Sequence, residues 1–141
     1  SRYVISWRLS NTMDTRFCIE ALQEALTRGC PEIFNSDQGS QFTSDDFVNF
    51  IKEKNIRISM DGRGRAFDNI MIERLWRSVK YEEVYIKDYQ TVLDAYRGLS
   101  WYLDFYNNER FHSSLGDEIP AFIYRGNSSK IKNGEPENNE D

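Results

Sequence analysis

Two carboxylates from separate parts of the chain could bind the same cation. Asp37 directly follows the predicted strand segment EIFNS and precedes Gln38 and Gly39, so its side chain is expected at the carboxyl end of a strand, where α/β folds place their sites. Gly39 would allow a sharp turn and the close approach of a ligand. The alternative interpretation is that the Asp37 side chain only supports the turn.

Glu73, the second carboxylate, lies on a predicted helix that begins near Asn69 and carries Arg77 and Lys80 on the same face. The alternative interpretation is a solvated Glu–Arg pair worth a few tenths of a kcal/mol. Mg²⁺ takes oxygen ligands, and two ions about 3.5 to 4 Å apart can assist an in-line displacement at phosphorus. The pair is therefore a candidate magnesium site for phosphoryl transfer, although chance pairs are expected among 23 acids.

Composition limits the classes to which the chain can belong. With 141 residues it forms one compact domain at most, and its apolar runs are too short for a membrane span or a secretory signal. Cys18 and Cys30 make neither a disulfide framework nor a zinc site. The net charge is -5, but residues 57–87 carry seven basic and five acidic residues. Overall acidity therefore does not exclude a nucleic acid partner.

Hydrophobic periodicity predicts alternating strands and helices, and hence an α/β sheet with crossover helices. The predicted strands are Arg2–Leu9, Glu32–Asn35 and Ile56–Met60. The predicted helices are Asp14–Arg28, one capped by Thr43 or Ser44, Ile70–Tyr81 with an apolar stripe facing the core (Ile72, Leu75, Trp76, Val79), and Thr91–Tyr106. Asp61–Asn69 is predicted to be a mobile loop, and residues 126–141 a disordered acidic tail after a domain spanning 1–125.

Three strings resemble one family in the order expected: NSDQGSQFTSDDF at 35–47, GRAFDNIMIERLWRSVKYEEVY at 64–85, and YNNERFHSSLGDEIPAFIY at 106–124. They are similar to the integrase-type catalytic core of bacterial insertion-sequence transposases, which are relatives of retroviral integrases. The 35 residues between Asp37 and Glu73 match the family's final Asp-to-Glu separation.

The resemblance implies an RNase H-like fold, a mixed sheet with flanking helices, and a DDE mechanism with two Mg²⁺ (or Mn²⁺) ions. Asp37 would be the second aspartate and Glu73 the glutamate, both of them metal ligands. DNA, the partner, would be contacted by the basic residues Arg63, Arg65, Arg77, Lys80 and Arg110, although Arg110 could instead pair with an acid. The family further implies homo-oligomers in a bacterial cytoplasm, associated with the nucleoid, and no membrane.

One departure from the family affects the expected activity. Its first aspartate lies on a strand upstream of the segment that Arg2–Leu9 resembles, and Asp14, at a helix start, does not resemble it. We therefore expect a fold fragment that lacks the first two strands, leaves Arg2–Leu9 without a partner strand, and is catalytically incomplete alone. The alternatives are a non-enzymatic transposase remnant that binds DNA weakly or associates with an intact copy, and an unrelated α/β binding module.

His112, the only histidine, falls within the third string. It could donate a hydrogen bond to a DNA phosphate or stabilise the end of the long helix. A single histidine cannot build a metal site, so the structural role is favoured.

Overall fold

A computed structural model describes residues 1–60 and 70–127. The described residues divide into two compact units, one of residues 4–60 and 70–100 and the other of residues 1–3 and 101–127. The helices are α1 Arg16–Leu26, α2 Ser40–Thr43, α3 Asp45–Glu53, α4 Ile70–Val79 with a π-helical extension Lys80–Val84, α5 Val92–Asn108, a 3₁₀ turn Ser113–Leu115, and α6 Pro120–Tyr124; the strands are β1 Ile33–Ser36 and β2 Arg57–Met60.

The two strands pair in parallel, with Ile33 opposite Arg57 and Ser36 opposite Met60. The chain leaves β1, passes through α2 and α3, and returns along β2. Such a helical crossover is the connection that parallel neighbours need. Both strands were predicted from the sequence. Because they are parallel, their carboxyl ends lie at the same edge of the sheet, and Asp37 is the residue directly after β1.

Apolar side chains from α1, α3 and the start of β2 cover this sheet. Leu22, Phe47, Ile51 and Ile56 are buried and form one cluster, and the Phe34 ring of β1 lies 5.6 Å from that of Phe47. The predicted cap is confirmed, because the Ser44 hydroxyl accepts a hydrogen bond from the Phe47 amide at 3.4 Å. The cluster thus fixes α3 against the strand that leads to Asp37.

The predicted strand over Arg2–Leu9 is wrong: residues 1–10 form no strand. Side-chain contacts attach part of this segment to α5 and α1 instead. The ring centres of Trp7 and Tyr96 lie 5.3 Å apart, and Arg8 forms an ion pair with Glu24. Alternation shows which residues could share the face of a sheet, but a strand also needs a partner with free backbone donors and acceptors. In the described residues the sheet has only β1 and β2.

The predicted apolar stripe of α4 is only partly buried. Val79 is buried, whereas Ile72 and Trp76 remain 42% and 54% exposed. The same holds for α5, in which Tyr96 is exposed and Tyr106 is buried. Helical periodicity correctly placed these side chains on one face, but it does not show that another element covers that face.

Glu83 anchors the extension of α4 and is 0% exposed. The Tyr89 hydroxyl donates to Glu83 Oε1 at 2.6 Å, and Lys87 Nζ lies 3.2 Å from Oε2. A Cβ on Gly98 of α5 would lie 2.5 Å from Glu83 Oε1, so only glycine allows this approach. One buried carboxylate thereby joins the π-helical extension, the following turn and α5.

The predicted domain boundary at residue 125 falls just after α6, which ends at Tyr124. The predicted loop Asp61–Asn69 and residues 128–141 of the predicted tail lie outside the described residues. The boundary and the tail therefore stay predictions.

We expect Tyr89→Phe to lower the free energy of unfolding by about 1 to 3 kcal/mol near neutral pH, because Glu83 Oε1 loses its donor in a buried site. Burial, together with the hydrogen bond to Glu83, raises the pKa of Tyr89 above the usual 10.0. The difference between wild type and variant should be constant below about pH 10 and shrink above it, since the unfolded state then ionises first. Urea unfolding between neutral pH and about pH 11 measures both effects.

Tyr96→Phe, on α5, is the matched control and should change neither the free energy of unfolding nor its dependence on pH. A wild-type advantage that grows at high pH would contradict the assignment of the donor to Tyr89.

Candidate functional site

Asp37 lies one residue beyond β1 and is exposed. Its Oδ1 accepts a hydrogen bond from the Gly39 amide at 2.8 Å, which is a local turn of the Asx type. A Cβ at Gly39 would lie 2.9 Å from the same oxygen. Both interpretations from the sequence are thus compatible with the structure, because the side chain supports the turn through Oδ1 and still presents its carboxylate to solvent.

Glu73 lies in the first turn of α4 and is exposed. The ordinary pair with Arg77 does not form among the described residues, in which Glu73 has no ion pair. Arg77 instead places its guanidinium carbon 5.6 Å from the centre of the Tyr81 ring. Glu73 is therefore an exposed carboxylate without a neutralising partner in the part of the chain that the structure describes.

Asp14, the acid nearest the N-terminus, has a local structural role. It is exposed and accepts hydrogen bonds from the Thr12 hydroxyl at 2.7 Å and from the Arg16 amide at 3.1 Å. The bond from Thr12 is the main cause that lowers the pKa of Asp14. Asp14 thus stabilises the start of α1, as its sequence position suggested.

Residues 1–60 and 70–127 contain no group of three or more His, Cys, Asp or Glu side chains arranged to hold a metal ion. Asp37 and Glu73 are hard oxygen donors, which are the ligand class for Mg²⁺. The donors therefore fit the ion in chemical kind, but the described residues supply fewer of them than a closed site requires.

The predicted DNA-contacting cations are only partly visible. Arg77 and Lys80 are exposed, on α4 and on the first residue of its extension, while Arg63 and Arg65 lie outside the described residues. Arg77 and Lys80 share a helix with Glu73, at four and seven residues from it. This arrangement places positive charge beside one of the two carboxylates.

Two family models with the description "Integrase core domain" match residues 1–66 and 54–120, and together they span residues 1–120. The chain belongs to the integrase core family. The predicted family is confirmed, and Asp37 and Glu73 both lie within the matched residues.

Curated relatives of this integrase core are insertion-sequence transposases. The transposase for IS629 of Shigella sonnei is 29% identical over 93% of this chain and 45% of the relative. The transposase for IS904 of Lactococcus lactis is 27% identical over 91% of this chain and 52% of the relative. The chain therefore spans about half the length of these relatives.

Solved retroviral integrase cores have the same fold. The catalytic core domain of BIV integrase gives a TM-score of 0.66 at 22% identity and covers 84% of this chain and 76% of the solved chain. The HTLV-2 integrase core in complex with magnesium gives 0.63 at 20% identity, covering 84% and 74%. The predicted RNase H-like class is confirmed, and the small parallel sheet is consistent with a fragment of that fold.

The C-terminal unit of the integrase core contains His112 and Arg110. His112 is buried, with its ring 4.7 Å from the Tyr106 ring, and its amide donates to the Glu118 carbonyl at 3.2 Å. Arg110 donates to the Phe111 carbonyl at 3.3 Å. The packing of His112 supports the structural role that was favoured for it, and the DNA contact of Arg110 stays a prediction.

Sequence reasoning missed the importance of Glu83. Its string, KYEEVY, contains two adjacent acids, and nothing in their spacing shows which one is buried. The signal lies in distant residues, a tyrosine at 89 and a glycine at 98, whose contacts with Glu83 only the fold reveals.

In the described residues of this integrase core, no helix has both the length and the hydropathy to cross a membrane.

We expect Gly39→Ala to displace the Asp37 carboxylate while leaving the turn folded. The backbone at Gly39, with φ -58° and ψ 149°, suits alanine, so the main conflict is with Asp37 Oδ1 at 2.9 Å, followed by a tight contact with Gln41 Oε1 at 3.3 Å. NMR measures this through the residue-39 amide, whose chemical shift should respond weakly to temperature in wild type, where it is hydrogen-bonded to Asp37, and respond more strongly in the variant. Ser40→Ala is the control, and an unchanged response in Gly39→Ala would contradict the proposed conflict.

Proposed function

We propose that this chain is part of the catalytic core of a bacterial DNA transposase that cleaves and joins phosphodiesters with divalent metal ions. The observation that carries the proposal is the state of Asp37 and Glu73. Both are exposed, neither has an ion-pair partner among the described residues, and they sit at the family's separation in a chain with the integrase fold.

Asp37 and Glu73 would hold Mg²⁺ or Mn²⁺. The Gly39 amide occupies Asp37 Oδ1 at 2.8 Å, which restricts the rotation of the carboxylate and leaves Oδ2 for a ligand. Divalent ions bound there would neutralise phosphate charge and stabilise the leaving oxygen of an in-line displacement. The solved HTLV-2 integrase core, described as a complex with magnesium, supports this choice of metal.

We propose that the third carboxylate comes from outside the described residues. The acids that the structure describes form no group of three, and Asp14 is engaged at the start of α1. Two exposed carboxylates supply too few anionic ligands to keep two divalent ions close together. The chain by itself is therefore proposed to be catalytically incomplete.

DNA is the proposed substrate, and Arg77 and Lys80 are proposed to contact its phosphates. Such contacts do not depend on base sequence, and they weaken as salt rises because bound counterions are released. The net charge of -5 predicts weak binding. Arg63, Arg65 and Arg110 are further proposed contacts.

The working form is proposed to be a homo-oligomer in the bacterial cytoplasm, associated with the nucleoid. The intasome of simian T-cell lymphotropic virus, a fold neighbour at 18% identity and a TM-score of 0.68 over 91% of this chain and 45% of the solved chain, supports an assembled state.

A second candidate function is a non-enzymatic remnant that binds DNA weakly or associates with an intact copy. It is favoured by the same observation that makes the site incomplete, the lack of a third acid near Asp37 and Glu73 in the described residues.

The test is cleavage of supercoiled plasmid by the protein expressed with all in-frame coding sequence that flanks residues 1–141 in its gene. We expect nicking in Mg²⁺ or Mn²⁺ that falls to background in Asp37→Asn and in Glu73→Gln, because each removes an anionic ligand. Asp88→Asn, which alters another exposed acid, should leave nicking unchanged. The 1–141 chain alone should not nick.

A stop codon close upstream, or an extended protein that binds but never cuts DNA, would favour the remnant. Cutting that survives both carboxylate substitutions would show that the site lies elsewhere.

A further inference from the structure

An exposed row of side chains begins one helical turn after Glu73. Arg77, Tyr81 and Tyr85, spaced four residues apart, form what we call the Arg–Tyr row. The Arg77 guanidinium carbon lies 5.6 Å from the centre of the Tyr81 ring. The Tyr81 and Tyr85 rings lie 5.3 Å apart at 85° to one another.

The row faces solvent, although it includes two large aromatic rings. Tyr81 and Tyr85 are each 63% exposed, which leaves most of both rings uncovered. A guanidinium beside an aromatic ring and two perpendicular rings are favourable contacts, so the row is ordered by its own side chains. An exposed, ordered aromatic pair of this kind is available to a ligand.

The charge around the row is positive. Arg74, Arg77 and Lys80 are all exposed on the same stretch of helix. Among residues 70–85 the exposed acid is Glu73, since Glu83 is fully buried and Glu82 is half-buried, so exposed cations outnumber exposed acids on this stretch. The surface that accompanies the rings therefore attracts an anion and does not repel it.

Proteins bind single-stranded nucleic acid with cations that contact the phosphates along its backbone and with aromatic rings on which its bases stack. A base inside a duplex is already stacked on its neighbours, so a side chain can stack only on one that has left the helix. The rings would thus contribute nothing to intact duplex, whereas the cations contact phosphates in either form.

We propose that the Arg–Tyr row binds an unpaired nucleotide of the DNA substrate, with its phosphate at Arg77 and Lys80 and its base stacked on Tyr81 or Tyr85. The inference rests on the proposed function, and it specifies the substrate as a DNA end with unpaired bases. Tyr81 lies eight residues beyond Glu73, or roughly 12 Å along a helix. The unpaired base therefore belongs to the same DNA end as the strand near Glu73.

The test compares two labelled duplexes of equal length by fluorescence anisotropy, one fully paired and one with its last three base pairs mismatched. Both carry the same number of phosphates, so any difference comes from the unpaired bases. We expect the 1–141 chain to bind the mismatched end about 5- to 150-fold more tightly, the range for stacking of one base on an aromatic ring.

Substitutions separate the rings from the cations. Replacing both tyrosines by leucine should abolish the preference and keep affinity for the paired duplex, whereas replacing both by phenylalanine should keep the preference. The double variant Arg77→Ala, Lys80→Ala should bind both duplexes more weakly and by the same factor. Tyr96→Leu, which alters another exposed tyrosine of the same unit, is the control and should change neither.

Equal wild-type affinity for the two duplexes would overturn the inference and leave the proposed DNA substrate standing. Binding to neither duplex would count against the proposed function as well. Light scattering provides a further check: if the leucine variant changes oligomeric state while the preference persists, the rings contact a second copy of the chain and the inference is wrong.

Discussion

The parallel pairing of β1 with β2 is the interaction on which the position of Asp37 depends. The pair is only four residues long, and two isolated strands are at best marginally stable in water. Its stability therefore comes from the crossover helix, whose Phe47 and Ile51 are almost completely buried beneath the strands. The core that holds α3 in place also fixes the direction in which the chain leaves β1, and with it the location of Asp37.

The position of Glu73 depends on a different contact, made at the opposite end of its helix. Most of the apolar face of α4 is exposed, and within this helix only Val79 is buried. The buried Glu83 carboxylate, held by Tyr89 and in close approach to Gly98, attaches the extension of α4 to α5. A buried charge is tolerated because a hydrogen bond and the Lys87 ion pair compensate its desolvation. The two acids of the candidate site are thus positioned by an apolar core in one case and by a polar contact in the other.

The sequence predicted features that depend on local chemistry. Ser44 was expected to cap α3 and does so, and both strands of the sheet were placed within about a residue of their observed bounds. Features that depend on a distant partner were not predicted. Residues 2–9 were expected to form a strand that lacks a partner, but without a partner they form no strand in the described residues, and Trp76 has core-like spacing but remains exposed. Glu83 belongs to the same class, because its burial depends on residues 89 and 98.

The central claim, that Asp37 and Glu73 belong to one divalent-metal site, is tested most directly by titrating the ¹⁵N-labelled chain with Mn²⁺. A paramagnetic ion broadens amide signals only near its binding site. The account predicts that the Gly39 and Glu73 amides broaden over the same range of Mn²⁺ concentration, and that Asp37→Asn abolishes both effects while Asp88→Asn abolishes neither. Broadening at Glu73 that persists in Asp37→Asn, or at Gly39 alone, would contradict it.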